Sequence, residues 1–176
     1  PAMADSSAPP ERNFRLLVEY NGSAYCGWQR QNAQPTIQGC IESALSNILG
    51  YAPTLHAAGR TDTGVHAIGQ VANFTARTNI VDWKFARGIN NFLPKDISVH
   101  QSVEVPLSFS SRFNSVSKRY RYRVYHGPQP AALDRQRAWW LLSPVDMNLL
   151  KQASNLLLGQ HDFNAFRSAH CDAAHA

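Results

Sequence analysis

From Thr36 to Gly50 the chain carries a pattern that only a helix can use well. Ile37, Cys40, Ile41, Ala44, Leu45, Ile48 and Leu49 recur at helical spacing and so fall on one side of a helix. Thr36 stands where a side-chain oxygen can accept from the first free amides, and Gly50 where a left-handed residue ends the helix. An apolar stripe of this kind has to be covered, and the neighbouring runs are strand-like. Phe14 to Tyr20 is apolar and partly β-branched and ends in the turn residues Asn21-Gly22-Ser23; Gly69 to Thr75 and Ile97 to Val105 also read as strands. Asp82 is the expected cap of a second helix through Phe85, Ile89 and Phe92, stopped by Pro94. Ser117 to Tyr125 reads as a further strand. Asp146 precedes a third helix with Met147, Leu149, Leu150, Ala153, Leu156 and Leu157 in register, closed by Gly159. Helices and strands are interspersed without the strict alternation of a doubly wound fold. The pattern therefore predicts an α+β fold with a sheet covered by helices on one side. Residues 1–12, small, polar and Pro-rich, read as a disordered, tag-like lead-in.

The chain has 176 residues, 44% of them hydrophobic, which suits one domain with a real core or two small ones. No apolar run approaches the roughly 18 residues that span a bilayer, and no basic-then-apolar signal segment is seen. Lys and Arg number 17 against 12 acidic residues, a net charge of +5 that favours a polyanionic partner. Arginines alternate with tyrosines from Arg119 to Arg123; on a strand, Arg119, Arg121 and Arg123 would share one face and Tyr120 and Tyr122 the other. Cys26, Cys40 and Cys171 are odd in number and widely spaced, so they read as reduced thiols of a cytosolic protein. His170, Cys171, Asp172 and His175 crowd together, but no second ligand pair completes a metal site.

The chemistry concentrates between Gly59 and His66. Two glycines, Arg60, Asp62 and His66 fall within eight positions, after an apolar run. Glycines allow a sharp turn or a close approach to a ligand. An aspartate held between them beside an arginine suits a site where a carboxylate attacks while a cation handles a phosphate or a displaced base. The same residues also suit a plain polar turn formed by Thr61 and Asp62.

The wider run GRTDTGVHAIGQVANF resembles the signature of the tRNA pseudouridine synthase A family. So do Val18 to Ser23 with Gly27-Trp28-Gln29-Arg30-Gln31, and Phe113 with Lys118-Arg119-Tyr120-Arg121-Tyr122. A fourth block, Leu158 to Phe163 with Phe166-Arg167, agrees as well. The resemblance covers about residues 13 to 171. It implies the pseudouridine synthase fold: two ferredoxin-like halves forming a mixed, mainly antiparallel sheet with helices on one face and a basic cleft across the other. Residues 13–115 would be the catalytic N-terminal half and 116–176 the start of a second half that is incomplete here. In the family a basic residue near the catalytic carboxylate comes largely from the segment beyond this point.

The activity implied is isomerisation of uridine to pseudouridine in the anticodon stem-loop of tRNA, at positions 38–40, without metal or other cofactor. Asp62 matches the catalytic aspartate. Arg60 matches the arginine that steadies the flipped nucleotide, with an ion pair to Asp62 as its structural alternative. Tyr120 matches the tyrosine that packs against the target ring, with a core position as its alternative. Arg30, Arg112, Lys118, Arg119 and Arg121 are candidates for phosphate contacts. Gly59, Gly64, His66 and Gly69 are expected to shape the loop. A cytoplasmic homodimer with tRNA across both subunits is implied, with no membrane partner. Two other readings stand beside this one. A noncatalytic RNA-binding module would use the Tyr/Arg-rich strand. A glycoside hydrolase would need a second carboxylate, and no spacing recommends Asp82, Asp96 or Asp162.

Overall fold

A computed structural model describes residues 8–166, which divide into two compact units, one ending at Tyr120 and the other beginning at Arg121. The first unit runs β1 (Glu11–Tyr20), α1 (Ile37–Leu49), β2 (His56–Ala57), β3 (Ala67–Arg77), α2 (Asp82–Asn90) and β4 (Ile97–Val105). Its sheet has the strand order β2-β3-β1-β4, with every neighbouring pair antiparallel. β1 and β2 are therefore parallel with β3 between them, and β3 and β4 are parallel with β1 between them. Each of these pairs is joined through a helix, as two interleaved β–α–β crossovers.

Alternation along β1 decides which face is covered. Phe14, Leu16, Val18 and Tyr20 are buried and meet Ile37, Ile41 and Leu45 of α1 and Phe85 and Ile89 of α2 in one core. Phe14 lies 5.4 Å from Phe74 and 4.6 Å from Phe85, ring centre to ring centre. Each such ring contributes about 1.5–3 kcal/mol by leaving water. The chain thus forms an α+β structure with a mainly antiparallel sheet and helices on one face. The helix bounds follow from local chemistry: Thr36 accepts from the Gly39 amide, and Gly50 closes α1 at φ 79°.

Buried polar side chains tie α1 to the strand that leads into the Gly59–His66 loop. Glu42 accepts from the Leu55 amide at 3.0 Å and from Gln38 Nε2 at 2.8 Å, and its other oxygen lies 3.1 Å from Arg30 Nη1. Gln38 in turn accepts from the Arg30 amide at 3.0 Å. Glu42→Ala would leave the buried Leu55 amide unpartnered and Gln38 Nε2 with only the Leu55 carbonyl, so it is expected to cost about 2–4 kcal/mol, read as a lower urea midpoint. A loss below about 0.5 kcal/mol would mean the network contributes little.

Three details differ from the sequence reading. β1 begins at Glu11, inside the expected lead-in, because Glu11 and Arg12 pair with Arg77 and Ala76. α2 is preceded by Val81, with no side-chain cap, and ends at Asn90; Asp82 lies in the first turn, its carboxylate accepting from the Trp83 and Glu104 amides. The expected strand over Ser117–Tyr125 is the main correction. Only β5 (Val124–His126) is formed there, parallel to β6 (Trp139–Leu141), in the second unit. A strand exists only where another backbone pairs with it: the Arg123 carbonyl accepts from the Trp139 amide at 2.8 Å, but residues 117–122 have no such partner among the described residues. Tyr120 and Tyr122 are accordingly 71% and 92% exposed, so they form no core face. α3 (Met147–Asn155) completes the second unit, capped by Asp146, which accepts from the Asn148 and Leu149 amides.

Candidate active site

The loop between β2 and β3 leaves the sheet after Ala58, whose amide donates to the Val71 carbonyl at 2.9 Å. Gln70 Nε2 donates to the Gly59 carbonyl. The chain then turns at residues 62–65. The Val65 amide donates to the Asp62 carbonyl at 3.2 Å, and Gly64 occupies the third position at φ 79°. A positive φ there is the requirement of a type II turn. Gly59 and Gly69 have no such backbone requirement. The neighbour of Gly59 is Lys118: a Cβ at Gly59 would meet Lys118 Cε at 3.4 Å and its Nζ at 3.5 Å, ordinary contact distances. Gly69 faces Leu17, whose Cδ1 would be 3.7 Å away.

A second segment, the turn that follows β1, grips this loop along its length. Tyr20 Oη lies 2.8 Å from Thr61 Oγ1, and the Trp28 amide donates to the Thr61 carbonyl at 2.9 Å. The Gly22 amide donates to His66 Nδ1 at 3.2 Å, and the Gly64 amide donates to the Tyr25 carbonyl at 3.3 Å. Tyr25 is fixed in turn by donating to Asp96 Oδ1 at 2.6 Å; burial and the neighbouring Asp96 push its phenol well above the usual range. Two glycines permit the approach. A Cβ on Gly22 would fall 2.0 Å from the Val65 carbonyl oxygen, and one on Gly27 would fall 2.4 Å from that of Thr61. On the other side, Asn73 Oδ1 accepts from the Ser111 amide, and the single Ser111 hydroxyl proton is shared between Asn73 Oδ1 at 2.8 Å and the His56 carbonyl at 2.9 Å. These bonds hold β2 and the segment approaching Lys118 in one place.

The outcome is a rigid backbone carrying two free side chains. Asp62 and Arg60 are exposed on either side of the half-buried, anchored Thr61. They form no ion pair with each other, and no hydrogen bond engages the Asp62 carboxylate among the described residues. An exposed carboxylate on a braced loop can attack an electrophilic carbon or take up a proton, with a guanidinium two residues away for a base or a phosphate. Lys118 joins the loop through Gly59. Tyr120 is 71% exposed and is not a core residue. Arg112 lies over Phe113 at 5.2 Å, and Arg119 is exposed; neither bonds to the loop. Arg30 is partly neutralised by Glu42. Arg121 belongs to the second unit.

Comparison with known proteins places this loop within a family. The family profile described as tRNA pseudouridine synthase matches residues 16–114, from β1 through the loop and β4. The chain belongs to the tRNA pseudouridine synthase family. Curated relatives extend the likeness past that region. The tRNA pseudouridine synthase A of Geotalea daltonii is 43% identical over 162 residues, covering 92% of this chain and 66% of its own. Those of Rhodospirillum rubrum and Acetivibrio thermocellus are 41% and 42% identical over 91% and 90% of this chain, and 58% and 65% of theirs. The chain thus spans 58–66% of the length of these relatives.

The family resemblance singled out the loop and the β1 turn as separate blocks; nothing in either says that one grips the other. Tyr20, Gly22, Tyr25, Gly27 and Trp28 were legible as a turn rich in glycine and aromatics, but not as the brace of a loop some forty residues away. Among the described residues no three His, Cys, Asp or Glu side chains gather as metal ligands, and no helix is long and apolar enough to cross a membrane. Cys26 and Cys40 are free thiols. The His170–His175 cluster, with Cys171, and Arg167 lie outside the described residues.

Proposed function

We propose that the protein isomerises uridine to pseudouridine in the anticodon stem-loop of tRNA, at positions 38–40, with the Asp62 carboxylate as nucleophile. The observation that carries this reading is the exposed, unengaged carboxylate on a loop braced from two sides, in a member of this family. The bond from C1′ to N1 breaks, the uracil turns, and a bond from C5 to C1′ forms while C5 loses its proton and N1 takes one up. Atoms and oxidation state balance without a co-reactant, so the reading calls for no cofactor and no metal. A carboxylate can add to the ring or act at the sugar. The target base must first leave its stack, at about a few kcal/mol. Arg60 would fill the vacated space and grip phosphate, and Tyr120, already exposed, would pack its ring against the uracil. Lys118, Arg112, Arg119, Arg121 and the remaining charge of Arg30 would contact phosphates.

The strand order supports a ferredoxin-like N-terminal half over residues 13–115, with residues 116–176 opening the second half of the pseudouridine synthase fold. A cytoplasmic homodimer with tRNA lying across both subunits is part of the same reading. The test uses the full-length protein and an unmodified tRNA transcript. Carbodiimide adducts mapped by reverse-transcription stops are expected at positions 38–40. Adducts elsewhere would reassign the uridine. No adduct on a transcript that still binds would favour a noncatalytic RNA-binding module.

A further inference from the structure

We propose that the hydroxyl pair of Tyr20 and Thr61 is a positioning element for the reaction, one that sets the direction of the Asp62 carboxylate without touching the substrate. The inference rests on the reading of Asp62 as nucleophile and adds two residues to it. Tyr20 is 3% exposed and Trp28 1%, and their rings lie 5.9 Å apart, so the phenol is held inside the core of the first unit. Burial raises the Tyr20 pKa above its usual value, so the phenol keeps its proton at neutral pH and remains a hydrogen-bonding group. Its oxygen lies 2.8 Å from Thr61 Oγ1. The Trp28 amide holds the carbonyl of the same threonine at 2.9 Å.

Thr61 is therefore fixed at two points, one on its side chain and one on its backbone, by two residues that pack on each other. With its side chain drawn inward, the residues on either side, Arg60 and Asp62, are left exposed. The bond from the Asp62 carbonyl to the Val65 amide closes the next turn, so the Asp62 main chain is held on both sides while its carboxylate is free. Losing the hydroxyl bond leaves the backbone anchor in place but lets Thr61 rotate about it. The carboxylate one peptide away then samples a wider arc, and a displacement near 1 Å at a reacting group costs roughly 100-fold in rate. Of the residues read as contacting tRNA, only Arg60 adjoins Thr61, so KM is expected to change much less than kcat.

Tyr20→Phe and Thr61→Val each remove one hydroxyl and keep the shape. In the full-length protein each is expected to lower kcat for pseudouridine formation roughly 10- to 100-fold, with KM changed less than about 2-fold. The double variant is expected to be no slower than the slower single, because both remove the same bond. Thr61→Ser keeps the hydroxyl and is expected to stay within about 3-fold of the unaltered protein. Independent losses that multiply in the double variant, a serine as damaging as valine, or a loss confined to KM would overturn the proposal. Asp62→Asn in the same assay separates the two claims: if it is inactive while both single variants turn over normally, only the positioning role fails; if it is active, the reading of Asp62 fails. Amide hydrogen exchange over residues 60–66 reads the pair without catalysis. Faster exchange in both single variants is expected, and unchanged exchange contradicts the proposal.

Discussion

Gly27→Ala is expected to leave the first unit folded but to displace the Asp62 loop, lowering pseudouridine formation by about 100-fold or more. Two costs coincide at this position. Gly27 has φ 86°, where an alanine costs about 1–2 kcal/mol. Its Cβ would also lie 2.4 Å from the Thr61 carbonyl oxygen, 3.1 Å from the Asp62 carbonyl carbon and 3.3 Å from the Thr63 nitrogen. All three atoms are backbone, so no side chain can swing aside to make room. The neighbouring Trp28 amide holds that same Thr61 carbonyl, so the β1 turn and the loop must separate together. Gly50→Ala is the control. Its φ of 79° carries the same backbone cost, but a Cβ there meets nothing within 4 Å. It should lose about 1 kcal/mol of stability and no activity. Equal rates for the two variants, measured on protein shown to be folded by circular dichroism, would mean the close approach does not position the loop.

How far the sequence could be read depended on the distance over which each interaction acts. α1 is specified within its own thirteen residues and two flanking caps, and Thr36 and Gly50 behave as their chemistry predicts. β4 alternates and has the bounds read from the pattern, Ile97–Val105. The segment around Tyr120 shows the opposite case. Its alternation is compatible with a strand, but pairing needs a partner from elsewhere in the chain, and residue pattern carries no information about which backbone that is. The site divides in the same way. Asp62, Arg60 and Gly64 stand in one short run whose resemblance to a family is specific. The brace is non-local: Tyr20 reaches Thr61, Gly22 reaches His66, and Ser111 reaches His56 and Asn73. Each partner is an ordinary polar or small residue in its own segment, and only the folded sheet brings them together.

Asp62→Asn is expected to reduce pseudouridine formation by at least about 1,000-fold while leaving thermal stability and tRNA affinity nearly unchanged. The amide has the shape of the carboxylate but is neither a nucleophile nor a base at neutral pH. The structure explains why stability should be spared: among the described residues no hydrogen bond or ion pair engages the Asp62 side chain. Two other acids make the contrast. Asp96 accepts from the Tyr25 hydroxyl at 2.6 Å, and Glu42 is buried with three partners, so their amide variants should melt earlier. Phosphate contacts dominate affinity for a nucleic acid, and an anionic side chain adds nothing to them. Affinity for tRNA at fixed salt should therefore stay within about 3-fold or rise slightly. A variant that unfolds would show that Asp62 is a structural residue, contrary to its exposure and lack of partners.

The most direct measurement is release of tritium from tRNA labelled at C5 of uridine, comparing the full-length protein with its Asp62→Asn variant at matched tRNA occupancy. Steady release by the unaltered protein and none above background by the variant is the expected result. Release at a comparable rate from both would contradict it.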